Sequence, residues 1–337
     1  MKIILVGGGS GGHIYPCLEM AKFLKHMGHE VLLAGAKDSN EEKIYLDNGF
    51  NFVGLAINKK KIRSYFTNRN AIRKTYNEFM PDAIFLFGNY ISVSFGLEAI
   101  LCRIPIYLHE QNVIYGRANM LLGLFAKRIY LSLPIKRNIY KRKSILLGNP
   151  KSDNNVEPKK FNDKYNVLIV MGSLGSASMN NIFQKLIEVA NPNVALHLVT
   201  GKKHYSEFIK LIDVRENIHC YPYLDDLGSY IKSCDILVTR AGATTISEIL
   251  VNQVASIIIP SPYVKNNHQY LNAKYLEEHS ACILLEEKDL TAVKINNTIN
   301  ELIYDYSKRL NLKINAGKLA IYNSKKKIHG DLVKDYE

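Results

Sequence analysis

Lys2-Ile3-Ile4-Leu5-Val6 runs directly into Gly7-Gly8-Gly9-Ser10-Gly11-Gly12-His13, and Ile14-Tyr15-Pro16 then leads into Leu18, Met20, Ala21 and Leu24. A buried strand, a glycine turn and an amphipathic helix, in that order, open a doubly wound parallel sheet. The glycines let the backbone take positive φ and approach a ligand closely. Pro16 suits a first helical turn, whose free N–H groups form an anion site. Written Gly7-x-Gly9-x-x-Gly12, the loop also fits a dinucleotide fingerprint, which requires an acid about 20 residues on, at the end of the second strand. That strand ends in Ala34-Gly35-Ala36 with no acid before Asp38, which disfavours a nicotinamide dehydrogenase.

Outward from this unit the pattern repeats. Residues 31–34, 83–87, 104–108 and 145–147 read as further buried strands, with helix-length segments between most of them. After the polar stretch 151–164 the pattern restarts at 167–171, 194–199, 236–239, 256–259 and 282–284. The expected fold is α/β, two doubly wound Rossmann-like domains facing a cleft. The boundaries fall at 1–150 and 151–310, with a basic helical segment, 311–337, that packs back on the first domain. A chain of 337 residues is the right length for two such domains. Its net charge of +13 points to polyanionic partners such as phosphates, nucleic acid or an anionic membrane. Five cysteines without C-x-x-C spacing exclude a disulfide framework or structural zinc, and a reducing compartment is expected. Neither a cleavable signal nor an apolar run of about 18 residues is present, so a secreted or membrane-spanning chain is not expected.

His13 closes the glycine loop at a strand's carboxyl end, where open α/β sheets place ligands, and an imidazole there suits a general base. Leu108-His109-Glu110-Gln111-Asn112 is densely polar at another strand end. It is either a hydrogen-bonded loop or the lining of a cleft, and the cleft reading is favoured. In the second half, Met171-Gly172-Ser173-Leu174-Gly175-Ser176 repeats the strand–turn–helix design. Thr239-Arg240-Ala241-Gly242-Ala243-Thr244-Thr245-Ile246-Ser247-Glu248 enters a helix through a small-residue turn. Glu248 there either accepts from sugar hydroxyls or merely favours the helix start. Asn267-His268-Gln269, ahead of Asn272-Ala273, brings amides and an imidazole to another helix start.

Taken in order, G-G-x-G-G-H-x-x-P, H-E-Q-N, G-N-P, G-S-x-G, R-x-G-A-x-T-x-S-E and H-Q-x-x-N-A resemble the MurG family of peptidoglycan glycosyltransferases, within the wider glycosyltransferase-B superfamily. The likeness spans residues 7 to about 273, and H-E-Q-N is its most specific part. It implies an inverting transfer of GlcNAc from UDP-GlcNAc to the 4-hydroxyl of MurNAc in lipid I, giving lipid II. It implies His13 as the base, and Ser10, Gly11 and Gly12 facing the acceptor diphosphate. Donor contacts fall to Asn112, Lys151, Ser173, the backbone at Leu224, the turn Ala243, Thr244, Thr245, Ile246, Ser247 and Glu248, and His268 with Gln269. No D-x-D pair occurs, so no cofactor or essential metal is expected. The chain departs from the family's usual pattern at Lys151-Ser152 after G-N-P, at Leu174, and at Gly88-Asn89-Tyr90, where glycines are fewer. The alternatives are a diacylglycerol glycosyltransferase and a catalytically weak nucleotide-sugar-binding scaffold.

Two basic stretches, 59–74 and 127–143, each carry seven Lys or Arg and no acid. Lys59, Lys60, Lys61, Ile62, Arg63, Tyr65 and Phe66 belong to the first. Leu121, Leu122, Leu124 and Phe125 precede Lys127 and Arg128 in the second. Apolar groups beside cations suit an anionic bilayer interface. A nucleic-acid surface and a solvated face are the competing readings, and with a lipid acceptor implied, no nucleic acid is expected. The chain is expected peripherally on the cytoplasmic face of the cell membrane, with cell-wall synthesis proteins as possible partners.

Overall fold

Strand β1 (Lys2–Val6) is an inner strand of the first sheet in the computed structural model, which describes residues 1–56, 63–153, 157–161, 165–171, 177–213, 215–224, 226–334 and 336, with 63–66 and 177–178 described by backbone alone. Around it stand β2 (Glu30–Ala36), β3 (Phe52–Leu55), β4 (Ala83–Leu86), β5 (Ile106–Glu110), β6 (Arg128–Leu131) and β7 (Ser144–Leu146). Their order is β3-β2-β1-β4-β5-β6-β7, every pair parallel. Side chains alternate across β1. Ile3 and Leu5 pack with Ile14, Cys17 and Leu24 of the helix Gly11–His26, while Ile4 and Val6 pack with Ile72, Ile91 and Phe95 on the other face. Helices therefore cover both faces, as parallel sheets require. The order reverses between β1 and β4, so the loops after these two strands meet at the point where such sheets bind ligands.

The second sheet is built from β8 (Tyr165–Val170), β9 (Val194–Val199), β10 (Ile218–Tyr221), β11 (Ile236–Thr239), β12 (Ala255–Ile258) and β13 (Ile283–Leu284). It runs β10-β9-β8-β11-β12-β13, again parallel, with its own core of Val167, Ile169, Leu196, Val238, Ile257 and the helix Ala292–Tyr304. Strands β3, β6 and β10 are additional to those read from the sequence.

The chain divides into two units, Met1–Asp153 with Ile321–Glu337, and Asn154–Ala320. The terminal segment expected as one piece at 311–337 is thus split. The helix Tyr306–Leu319 buries Leu312 and Ala316 in the second unit, where the missing Cβ of Gly317 makes room for Gln253. The helix Ser324–Val333 buries Ile328 and Leu332 against Ile3 and Leu5 of the first. Tyr130 donates to Asp331 at 3.1 Å and the Lys325 N–H to Asp153 at 2.7 Å, holding that helix in place. Pro16 falls in the second helical turn rather than the first, leaving the Gly12 carbonyl without its usual i+4 donor.

Candidate functional site

In the first unit the glycine loop is clamped residue by residue. Tyr45 donates its hydroxyl to the Gly7 carbonyl at 3.0 Å, and Asn89 Nδ2 donates to the Gly8 carbonyl at 2.7 Å. The Gly9 N–H donates to Glu41 Oε1 at 3.3 Å. Glu41 is buried and also accepts from the Ala36 N–H at 3.4 Å. This carboxylate stands near the place where a dinucleotide fold keeps its ribose-binding acid, but here it serves the loop itself. Sequence reading missed it, because 32 residues separate Glu41 from Gly9. Ser10 is the exposed N-cap residue, and its carbonyl accepts from the His13 and Ile14 N–H groups. Gly11 and Gly12, half-buried, begin the helix beside it.

His13 is half-buried, and its ring lies against the backbone of Gly88, which has φ +93°. A Cβ at Gly88 would stand 3.1 Å from Cε1 and 3.3 Å from Nδ1 of that ring. The loops after β1 and β4 together form the niche that holds the imidazole.

The H-E-Q-N tetrad does not line a cleft as a whole, because three of its four side chains turn inward. His109, Glu110 and Gln111 are at most 1% exposed. His109 donates from Nε2 to the Gly148 carbonyl at 3.1 Å and accepts at Nδ1 from Gln111 at 3.1 Å. That pattern is the neutral imidazole; burial pushes its pKa down to about 4, against the pull of the Gly148 bond and helped by nearby His13. Glu110 accepts from the N–H groups of Asn112 and Gly116 and from the amides of Asn112 and Asn119, at 2.8–3.2 Å. Asn112 alone stays half-buried. Past β7, Asn149 Oδ1 accepts from the N–H of half-buried Lys151, and the Ser152 hydroxyl donates to the Asn149 carbonyl.

In the second unit, Ser173 lies outside the described residues, as does Leu174. Leu224 is half-buried. The helix Ala243–Asn252 starts directly after Gly242, with Thr244 and Thr245 half-buried in its first turn. Ala243, Ser247 and Glu248 are buried, and Ile246 is a core side chain, so only its backbone can meet a ligand. Arg240 sets this turn: its guanidinium pairs with Glu287 at 2.6 Å and donates to the Ile259 carbonyl at 3.1 Å. Asn272 donates to the Ala241 carbonyl at 3.2 Å, and Gln269 accepts from the Ser261 N–H at 2.8 Å. His268 Nδ1 donates to the Lys265 carbonyl at 2.8 Å, which leaves Nε2 as the acceptor in its neutral form. Beside these residues is a cavity of about 450 Å³ bordered by Ser261, Tyr263, Asn267, Tyr270, Glu286 and Lys288. No group of three or more metal-ligating side chains occurs among the described residues.

Of the basic stretches, Lys59, Lys60, Lys61 and Ile62 lie outside the described residues, and Arg63, Tyr65 and Phe66 are on the backbone of the helix Arg63–Phe79. Further along that helix, Arg69 and Arg73 turn inward to the fully buried Glu98, at 3.0 and 3.2 Å. The second stretch is different. Met120, Leu121, Leu124, Phe125 and Ile139 are 45–64% exposed. Lys143 reaches back to the Gly123 and Leu124 carbonyls, and Tyr140 packs against Gly123. Leu122, expected on this face, is fully buried against Gly96. In the helix Arg117–Leu122 it points about 100° away from exposed Leu121, toward the core. Lys127 is exposed, and Arg128 pairs with Asp331 at 3.6 Å.

Residues 3–131 match the N-terminal domain of glycosyltransferase family 28, and residues 166–329 its C-terminal domain. The chain is 30% identical over 353 residues to the UDP-N-acetylglucosamine–N-acetylmuramyl-(pentapeptide) pyrophosphoryl-undecaprenol N-acetylglucosamine transferase of Sulfurihydrogenibium sp., covering 100% of this chain and 99% of that one. It is 33% identical over 328 residues to the enzyme of the same name from Bacillus pumilus, with 90% of each chain covered. Among solved structures, MurG of Acinetobacter baumannii superposes with a TM-score of 0.82 at 22% identity over 99% of both chains. A UDP-GlcNAc 2-epimerase from Neisseria meningitidis does so at 0.72 with 13% identity over 99% of this chain and 100% of that one, so the fold alone is common to both.

Proposed function

The chain belongs to glycosyltransferase family 28, among the UDP-N-acetylglucosamine–N-acetylmuramyl-(pentapeptide) pyrophosphoryl-undecaprenol N-acetylglucosamine transferases, and from that membership we propose that it moves GlcNAc from UDP-GlcNAc to the 4-hydroxyl of MurNAc in lipid I, producing lipid II for peptidoglycan. The observation that carries this reading is the full-length likeness, with His13 in the niche between the loops after β1 and β4. His13 takes the proton from the acceptor hydroxyl as its oxygen attacks the anomeric carbon from the face opposite UDP. A single displacement inverts that carbon and gives a β-1,4 link. The acceptor diphosphate rests on Ser10, Gly11 and Gly12, where the helix start offers N–H donors.

The second unit holds the donor. The leaving diphosphate lies at the start of the helix Ala243–Asn252, over Ala243, Thr244, Thr245 and the Ile246 backbone, a preorganised positive end. Uracil meets the backbone at Leu224, the ribose meets Glu248, and the GlcNAc meets His268 and Gln269. Asn112, Lys151, Ser173 and Ser247 complete the donor contacts. The reaction is read as needing no essential metal or other cofactor.

The exposed cluster Met120, Leu121, Leu124 and Phe125, with its flanking cations, is read as the face that sits on anionic lipid at the cytoplasmic side of the membrane. No helix among the described residues is long and apolar enough to cross a membrane. Other cell-wall synthesis proteins are the expected neighbours there.

The deciding experiment supplies UDP-GlcNAc with lipid I, and separately with diacylglycerol, to the wild type and to His13→Ala. Turnover on lipid I alone, falling about 10²–10⁴-fold in the variant with UDP affinity nearly unchanged, is the expected result. Undiminished turnover in His13→Ala would remove the base assignment. Turnover on diacylglycerol alone would replace the acceptor, and UDP-GlcNAc binding without turnover on either would make the chain a scaffold.

A further inference from the structure

Asn89 is one of the few non-glycine residues at positive φ, +76°, next to Gly88 at +93°. Glycine takes that region freely, whereas a side chain there costs free energy, least for Asn, so Asn89 needs a compensating contact. Asn89 has two. Its Oδ1 accepts from the Tyr90 N–H at 2.6 Å, and its Nδ2 donates to the Gly8 carbonyl at 2.7 Å, across 81 residues of chain. The amide fills the notch left by Gly9, since a Cβ there would stand 2.1 Å from Nδ2. On the other side of the same dipeptide, Gly88 backs the ring of His13. One short segment therefore grips the glycine loop by a side chain and the imidazole by its backbone.

We propose that Asn89 is a positioning residue for His13. By locking the loop after β4 to the loop after β1, it fixes the distance between Gly88 and the start of the helix that carries the imidazole. It touches neither substrate in this reading, and it acts through the base. The inference rests on His13 being that base.

The test is a double-mutant cycle on the full chain with Asn89→Gly, His13→Ala and the pair, assayed with UDP-GlcNAc and lipid I. Asn89→Gly keeps the positive φ without strain and removes only the amide. A displacement of about 1 Å in a catalytic group costs up to about 10²-fold, so kcat should fall roughly tenfold with the KM for UDP-GlcNAc unchanged. In the His13→Ala background the same change should have almost no effect, because the group it positions is gone. Asn89→Asp tolerates the same backbone but sets a carboxylate oxygen against the Gly8 carbonyl, and should lose at least as much rate. A thermal melting profile equal to wild type checks that each variant is folded. Wild-type kcat in Asn89→Gly, or an equal loss in both backgrounds, overturns the inference while leaving His13 as the base. Full turnover in His13→Ala overturns the base assignment first and this inference with it.

Discussion

His109 Nε2 donates to the carbonyl oxygen of Gly148 at 3.1 Å, tying the end of β5 to the turn that leaves the first sheet. The ring is fully buried, and burial lowers its pKa from 6.5 to about 4. A histidine whose folded pKa is depressed adds stability that is whole above pH 6.5 and drains as pH falls from 6.5 to about 4, because the unfolded chain binds the proton first. The shift corresponds to a loss on the order of 3 kcal/mol. His197 in the second unit is lowered to about 4 as well, by burial and by neighbouring His219. Urea midpoints at about pH 7.5 and about pH 5 should therefore differ markedly in the wild type. They should differ less in His109→Gln, which keeps a donor for Gly148 but cannot titrate. Equal pH dependence in the two proteins would mean that the imidazole titrates normally.

Arg240 and Glu287 form an ion pair at 2.6 Å, their side chains only 9% and 11% exposed. The pair joins the end of β11 to the segment after β13, just ahead of the turn at Gly242 and Ala243. Removing one partner strands the other charge, which costs about 3–5 kcal/mol. Arg240→Ala should lose that much stability by denaturant titration and weaken UDP binding through the displaced turn. Arg240→Met with Glu287→Leu should regain most of the stability, since a well-packed apolar pair replaces a buried ion pair at little cost. A loss below about 1 kcal/mol in Arg240→Ala would mark the pair as solvated.

The strand–glycine–helix units were legible because each is local: an apolar run, then small residues, then helical periodicity. Both sheets, the restart after Gly148-Asn149-Pro150 and the place of His13 at a strand's carboxyl end follow from them, whereas its packing against Gly88 does not. The missed strands lack that signature. Phe52–Leu55 contains Gly54, Arg128–Leu131 begins inside a basic stretch, and Ile218–Tyr221 puts His219 on the face that carries His197, stacked 4.7 Å apart. The polar tetrad shows the other limit. Its partners Phe87, Gly116 with Asn119, and Gly148 come from three separate places in the chain, so its inward turn is set by tertiary pairing rather than by composition. Glu41 under the loop escaped for the same reason.

Leu124 and Phe125 are 62% and 54% exposed, whereas Leu122 is fully buried, so one short segment offers opposite outcomes to the same substitution. Withdrawing one such side chain from water is worth about 1.5–3 kcal/mol. Leu124→Asp with Phe125→Asp should cut binding to phosphatidylglycerol vesicles by at least about 10²-fold while leaving thermal stability near wild type. Leu122→Asp should instead unfold the first unit, because its carboxylate would enter the core beside Gly96. The exposed cations Lys127, Lys141 and Arg142 add about 1 kcal/mol each near an anionic surface and are screened by salt. Vesicle co-sedimentation should therefore need anionic lipid and weaken as salt rises. Equal binding to neutral and anionic vesicles, unaffected by salt, would assign the patch to another surface.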